Sequence, residues 1–88
     1  MTEGVDALER AILGFLQEKS DAALRGLAVT RETPLFDSGA LDSLLIIEFA
    51  LFLEQRFQVR IEAHEIDRRN FATVSAVARL VAAKQGPR

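Results

Sequence analysis

The chain has no cysteine, no tryptophan and no tyrosine, and only two prolines and five glycines among its 88 residues. Without cysteine it has no disulfide to staple its core and no thiol to act as nucleophile or metal ligand. A single histidine, His64, cannot make a usual zinc site without cysteine partners, and its expected place is the exposed start of a short helix. There is no surplus of basic charge either. Eleven basic residues stand against thirteen acidic ones, for a net charge of −2, which argues against binding a phosphate backbone. No apolar run, Leu44 to Ile47 included, is long enough to cross a bilayer. The first sixteen residues are amphipathic and acidic, unlike a signal peptide. The expectation is a soluble, cytoplasmic protein that binds no nucleic acid and does not span a membrane, and the sequence gives no basis for an oligomer.

What is present is apolar and helical in period. Hydrophobic residues make up 49% of the chain and charged residues 27%, a globular composition. A chain of this size holds one small core and rarely a deep pocket, so a self-contained enzyme is not expected. The segments show helical spacing and no strand-like alternation, which predicts an all-α fold in one domain over 1–88, with a frayed tail at about 85–88.

A first helix is expected over 3–19. Thr2 is a candidate cap, Glu3 and Asp6 lie in the first turn, and Val5, Leu8, Ile12, Phe15 and Leu16 share one face. Glu9, Arg10, Gln17 and Glu18 lie off it. Ser20 and Asp21 weaken the helix, and Gly26 marks a stop. The long connection from Leu27 to Leu41 has no clean period, and Pro34 disfavours helix at Thr33. Connections of this length are often functional or tied down by their own side chains, and Leu35 is the expected anchor. A plain crossover is the alternative.

A second helix is expected to begin at Asp42 or Ser43 and run to about residue 56. Ile46, Phe49, Ala50, Leu53 and Phe57 form its core stripe. A second stripe remains, Leu44, Ile47 and Leu51, flanked by Glu48 and Glu54, with Leu45 and Phe52 expected on yet another part of the surface. Such a helix is either central to a bundle or offers a face to a partner. Residues 58–61 read as an extended link. Residues 63–69 read as a short helix with Ile66 inside, and Phe71 falls inward. Thr73 caps a last helix in which Val74, Val77, Leu80 and Val81 face the core.

Ser43 has three readings. As a catalytic nucleophile it lacks support: His64 is the only candidate base, and the glycines of a nucleophile elbow are replaced by Leu41 and Leu45. A cluster of Asp37, Asp42 and Glu48 for acid–base work is better read as solvated charge. As a cap, Asp42-Ser43 suits a helix start, but this leaves the second apolar stripe unexplained. As a modification site, Ser43 is exposed at the positive end of a helix, where a phosphodiester is favoured by ~0.3–1 kcal/mol. Asp42 beside it suits an enzyme-bound Mg²⁺.

Asp42-Ser43-Leu44, preceded by Gly39 and followed by Glu48, Leu53, Glu54, Phe57 and Ile61, resembles the acyl carrier protein family. The likeness extends to Thr33-Pro34-Leu35-Phe36 and to Asn70-Phe71-Ala72-Thr73-Val74. It implies a monomeric four-helix bundle with a long loop between helices 1 and 2 and a short helix 3. It also implies that Ser43 carries 4′-phosphopantetheine, whose thiol holds acyl or aminoacyl groups as thioesters. By the same resemblance Asp42, Leu44, Ile47, Glu48 and Leu51 meet partner enzymes, and Ile66 touches the acyl chain or the partner. Those partners are a phosphopantetheinyl transferase, an acyl or aminoacyl ligase or acyltransferase, and downstream acyl-processing enzymes.

Two departures set the chain apart from carriers of fatty acid synthesis. Leu45 and Ile46 stand where acidic residues are common, with Arg56 and Arg60 downstream. The stretch between Ile61 and Thr73 is long and contains Arg68-Arg69-Asn70-Phe71. Both features resemble stand-alone carriers of specialised pathways. The competing class is a cofactor-free helical interaction module that docks through helix 2.

Overall fold

The structure is a computed structural model and describes residues 4–22, 29–38 and 41–85. Thr2, Glu3, Gly26, Leu27, Gly39 and the tail 86–88 lie outside these residues. The elements in order are α1 (Val5–Ala22), α2 (Ser43–Phe57), one 3₁₀ turn (Ala63–Glu65) and α3 (Val74–Gln85), with no strand among the described residues. The described residues are all-α, with three α-helices, and the 3₁₀ turn stands where a short third helix was expected.

α1 forms because Leu8, Ile12 and Leu16 recur every four residues and all three are buried. Asp6 in its first turn and Lys19 in its last complement the helix dipole. Its backbone continues through Ser20 and Asp21 to Ala22, past the expected weak point. The expected face is shifted at both edges. Val5 is 43% exposed, because it starts the helix ahead of the first turn that packs. Glu9, expected off the stripe, is buried, because the connection folds back over it and brings Arg31 Nε to 3.3 Å from its carboxylate.

The connection is stitched to the helices rather than hung between them. Leu35 is fully buried, and its N–H donates to the Ala72 carbonyl at 2.8 Å. Val29 is buried, and its carbonyl accepts from Gln17 Nε2 at 3.1 Å. The Ser75 N–H donates to the Arg31 carbonyl at 3.3 Å, and the Leu41 N–H to the Leu35 carbonyl at 3.1 Å. These bonds meet the need of buried backbone groups for partners in a segment without regular structure. Its last described step sets buried Leu41 beside Asp42.

α2 buries Phe49, Leu53 and Phe57, with Ile46 and Ala50 packed at the margin. Leu45 and Phe52 also turn toward the core. Phe52 is drawn in by Phe15 of α1, with ring centroids 4.3 Å apart and planes 16° from parallel. Phe49 and Phe71 meet edge to face, with centroids 5.6 Å apart, so rings from α1 and from the segment before α3 both pack on α2. Gln58 ends α2 in the left-handed region, at φ 57°, a position more often filled by glycine.

The expected helix over 63–69 is a single turn with reason. Asp67 Oδ1 accepts the Asn70 N–H at 2.7 Å, and its carbonyl accepts the Phe71 N–H at 3.0 Å. The side-chain bond takes the Asn70 N–H, which a continuing helix would give to the Ile66 carbonyl, and the turn leads to Phe71, which is fully buried. Thr73 then caps α3, its Oγ1 accepting the Ala76 N–H at 3.1 Å. Val74, Val77, Ala78 and Val81 of α3 are fully buried, and Leu80 is half-buried.

Candidate functional site

α2 starts at Ser43 because Asp42 supplies what the first turn lacks. Asp42 is extended (φ −116°, ψ −178°), and its Oδ1 accepts the Leu45 N–H at 2.8 Å. Its carbonyl accepts the Ile46 N–H at 2.9 Å as the first helical bond. The amides of Ser43 and Leu44 have no acceptor within the helix, as at any helix start. Ser43 is exposed, the first residue of a fifteen-residue helix, with the positive end of the dipole at its back.

The second apolar stripe lies in solvent. Leu44 is 68% exposed, Ile47 59% and Leu51 51%. Packing against the connection, the ordinary explanation for such residues, does not cover them. Glu48 stands on the same side of the helix, between Leu44 and Leu51 in sequence, and its carboxylate lies 3.4 Å from Lys19 Nζ of α1. Both side chains are well exposed, so the pair contributes little and leaves Glu48 at the surface.

Ile66 is half-buried against the core. It follows the 3₁₀ turn, and its N–H donates to the Ala63 carbonyl at 3.1 Å. The turn is fixed by Glu65, which reaches Lys84 Nζ of α3 at 2.7 Å and accepts the Glu62 N–H at 2.9 Å. The hydrogen bond from Lys84, and next that from Glu62, hold the Glu65 carboxyl below its usual range. Asn70 Nδ2 braces the same turn by donating to the Glu65 carbonyl at 3.0 Å.

The sequence-predicted residues therefore fall in two groups. Asp42, Ser43, Leu44, Ile47, Glu48 and Leu51 share one helix and its start, all exposed. Ile66 is placed by a different segment. Sequence reasoning did not find the clasp between the connection and the segment before α3. Arg68 Nη1 donates to Asp37 Oδ1 at 3.0 Å, and its guanidinium lies over the Phe36 ring at 5.4 Å. The two segments are 31 residues apart, and no periodicity links them.

An exposed serine thus heads a capped helix beside a bare apolar stripe. Residues 10–81 match the family described as Phosphopantetheine attachment site. The chain belongs to this family. Its cofactor is 4′-phosphopantetheine, covalently attached, and its role is that of an acyl or aminoacyl carrier. The chain is 30% identical over 73 residues to the D-alanyl carrier protein of Streptococcus uberis (strain ATCC BAA-854 / 0140J), covering 83% of this chain and 78% of that one. It is 42% identical over 50 residues to the probable acyl carrier protein PigG of Serratia sp. (strain ATCC 39006), covering 57% of this chain and 58% of the relative. Among solved structures it is similar to a chain in a crystal structure of an FAD-dependent dehydrogenase. That match has 35% identity and a TM-score of 0.60, over 66% of this chain and 84% of the other.

Carriers of this family work with transferases and acyl-processing enzymes. No helix among the described residues is long and apolar enough to cross a membrane.

Proposed function

We propose that Ser43 Oγ is joined to 4′-phosphopantetheine and that this single-domain chain is a non-catalytic carrier. The observation that carries the reading is the exposure of Ser43 at the head of α2, directly before the uncovered residues Leu44, Ile47 and Leu51. The start of α2 fits the group. The free amides of the first turn and the helix dipole favour a phosphodiester there, and nothing described closes over the serine.

When bound, the group supplies a flexible arm whose thiol holds an acyl or aminoacyl cargo as a thioester. The chain's own residues do the rest. Asp42 fixes the helix start that presents Ser43, and its carboxylate is at hand for a cation held by the installing enzyme. Leu44, Ile47 and Leu51 give that enzyme and later ones an apolar surface to bury, with Asp42 and Glu48 as charged flanks that set orientation. Ile66, held by the braced turn, lies on the second segment offered to partner or cargo. Tethering raises the effective concentration of the cargo at each active site, so no catalytic residue is required of the carrier.

The likeness to a D-alanyl carrier supports an aminoacyl cargo. The likeness to a chain in a dehydrogenase structure makes a flavin-dependent dehydrogenase a candidate among the docking enzymes. Incubation with coenzyme A and a phosphopantetheinyl transferase, followed by intact mass, tests the reading. The expected result is one added phosphopantetheine on the wild type and none on Ser43→Ala. After loading, the cargo should be released by hydroxylamine, as a thioester is. A gain that survives Ser43→Ala, or no gain with several transferases of broad specificity, contradicts the proposal.

A further inference from the structure

The charge of the chain is divided along its length. Residues 1–57 hold ten acidic side chains against five basic, and residues 58–88 hold three against six. Most basic side chains of known placement are committed to carboxylates. Arg10 pairs with Asp6, Lys19 with Glu48, Arg31 with Asp6 and Glu9, Arg68 with Asp37, and Lys84 with Glu65. Among the described residues, Arg69 and Arg79 have no ion pair or hydrogen bond through their side chains, and both are exposed.

These two line one shallow depression with Asn70, Ala76, Leu80 and Ala83. Among the described residues no carboxylate lines it. Its floor is apolar, from α3, and two uncommitted guanidinium groups border it. None of its residues belongs to the Leu44, Ile47 and Leu51 stripe.

We propose that this depression is a second docking surface, for an acidic amphipathic segment of a partner protein. Guanidinium groups bind carboxylates through paired N–H donors, a strong and directional match. The apolar floor takes an aliphatic side chain lying between those carboxylates. A small molecule is a poorer fit, since such ligands are bound in sites that enclose most of their surface, and this depression is open. A nucleic acid is opposed by the acidic majority of the chain. A partner that presents carboxylates here is repelled by the acidic first two-thirds, so the charge division selects the orientation of approach as well as the site.

The test uses the full chain carrying its cofactor, titrated with a synthetic helical peptide of leucine and glutamate in heptads and followed by amide chemical shifts. Shifts should concentrate at Arg69, Asn70, Ala76, Arg79, Leu80 and Ala83. A peptide with lysine in place of glutamate should leave these amides unmoved. The double substitution R69Q/R79Q should weaken binding by about tenfold or more, the equivalent of ~1.4 kcal/mol, and R69E/R79E should abolish it. Both pairs are at the surface, so the melting curves should stay near wild type. Shifts confined to Leu44, Ile47 and Leu51, or equal affinity in the double variants, would overturn the proposal. So would tighter binding of a single-stranded RNA oligonucleotide at the same amides.

Discussion

Asp42 has two separable roles, as helix cap and as a charge at the site, and a pair of substitutions distinguishes them. Asp42→Ala removes the acceptor of the Leu45 N–H, a 2.8 Å bond at the start of the most apolar helix. Loss of such a cap costs about 1 kcal/mol. In a domain of this size that lowers the Tm by about 4–8 °C. Asp42→Asn keeps a side-chain oxygen for the cap and removes only the charge beside the helix dipole, a cost of about 0.3–1 kcal/mol at low ionic strength. Salt screens that exposed term. Melting by far-ultraviolet circular dichroism should therefore rank wild type, Asn and Ala in descending order at low salt. At high salt Asn should approach the wild type while Ala stays low. If the carboxylate helps the installing enzyme hold its cation, the Asn variant should fold well yet be modified more slowly. An Ala variant that melts with the wild type, or an Asn variant as unstable as Ala at high salt, would refute the cap account.

Leu35→Ala should destabilise the protein by about 2–5 kcal/mol, because Leu35 is the fully buried tether of the connection; urea unfolding measures the loss. Gly14→Ala should raise stability by about 0.5–1 kcal/mol, since Gly14 is exposed within α1 and an added Cβ would meet nothing within 4 Å; the same melt reads the gain. The Glu65 carboxyl is depressed by Lys84 and Glu62. Its contribution is therefore complete above the ordinary glutamate range, near 4.3, and is lost as pH falls through its lowered value. Glu65→Gln should flatten that part of the acid-unfolding curve, compared by titration from neutral pH downward.

Where one helix buries one face, the sequence was readable. Leu8, Ile12 and Leu16, and Phe49, Leu53 and Phe57, follow the helical period, and all six are in the core. Subtracting that stripe from α2 left Leu44, Ile47 and Leu51, and these are the exposed ones. Leu35 was legible as an anchor because it is a large apolar residue in a segment that could not hide it by periodicity. The misreadings arose where a distant segment changes a local rule. Glu9 is buried because Arg31 crosses to it, and Phe52 turns inward because Phe15 offers it a ring. Propensity alone also gave residues 63–69 a longer helix than forms, because it does not register Asp67 closing a turn onto Asn70. The Asp37–Arg68 clasp depends on tertiary placement and leaves no local trace.

The central claim is that one particular hydroxyl carries the arm. The chain has four serines, Ser20, Ser38, Ser43 and Ser75. Protein modified with coenzyme A and a transferase, then digested and sequenced by tandem mass spectrometry, locates the group directly. The account predicts phosphopantetheine on Ser43 alone, with the other three serines unmodified. Phosphopantetheine on Ser20, Ser38 or Ser75, or on none of the four, would contradict it.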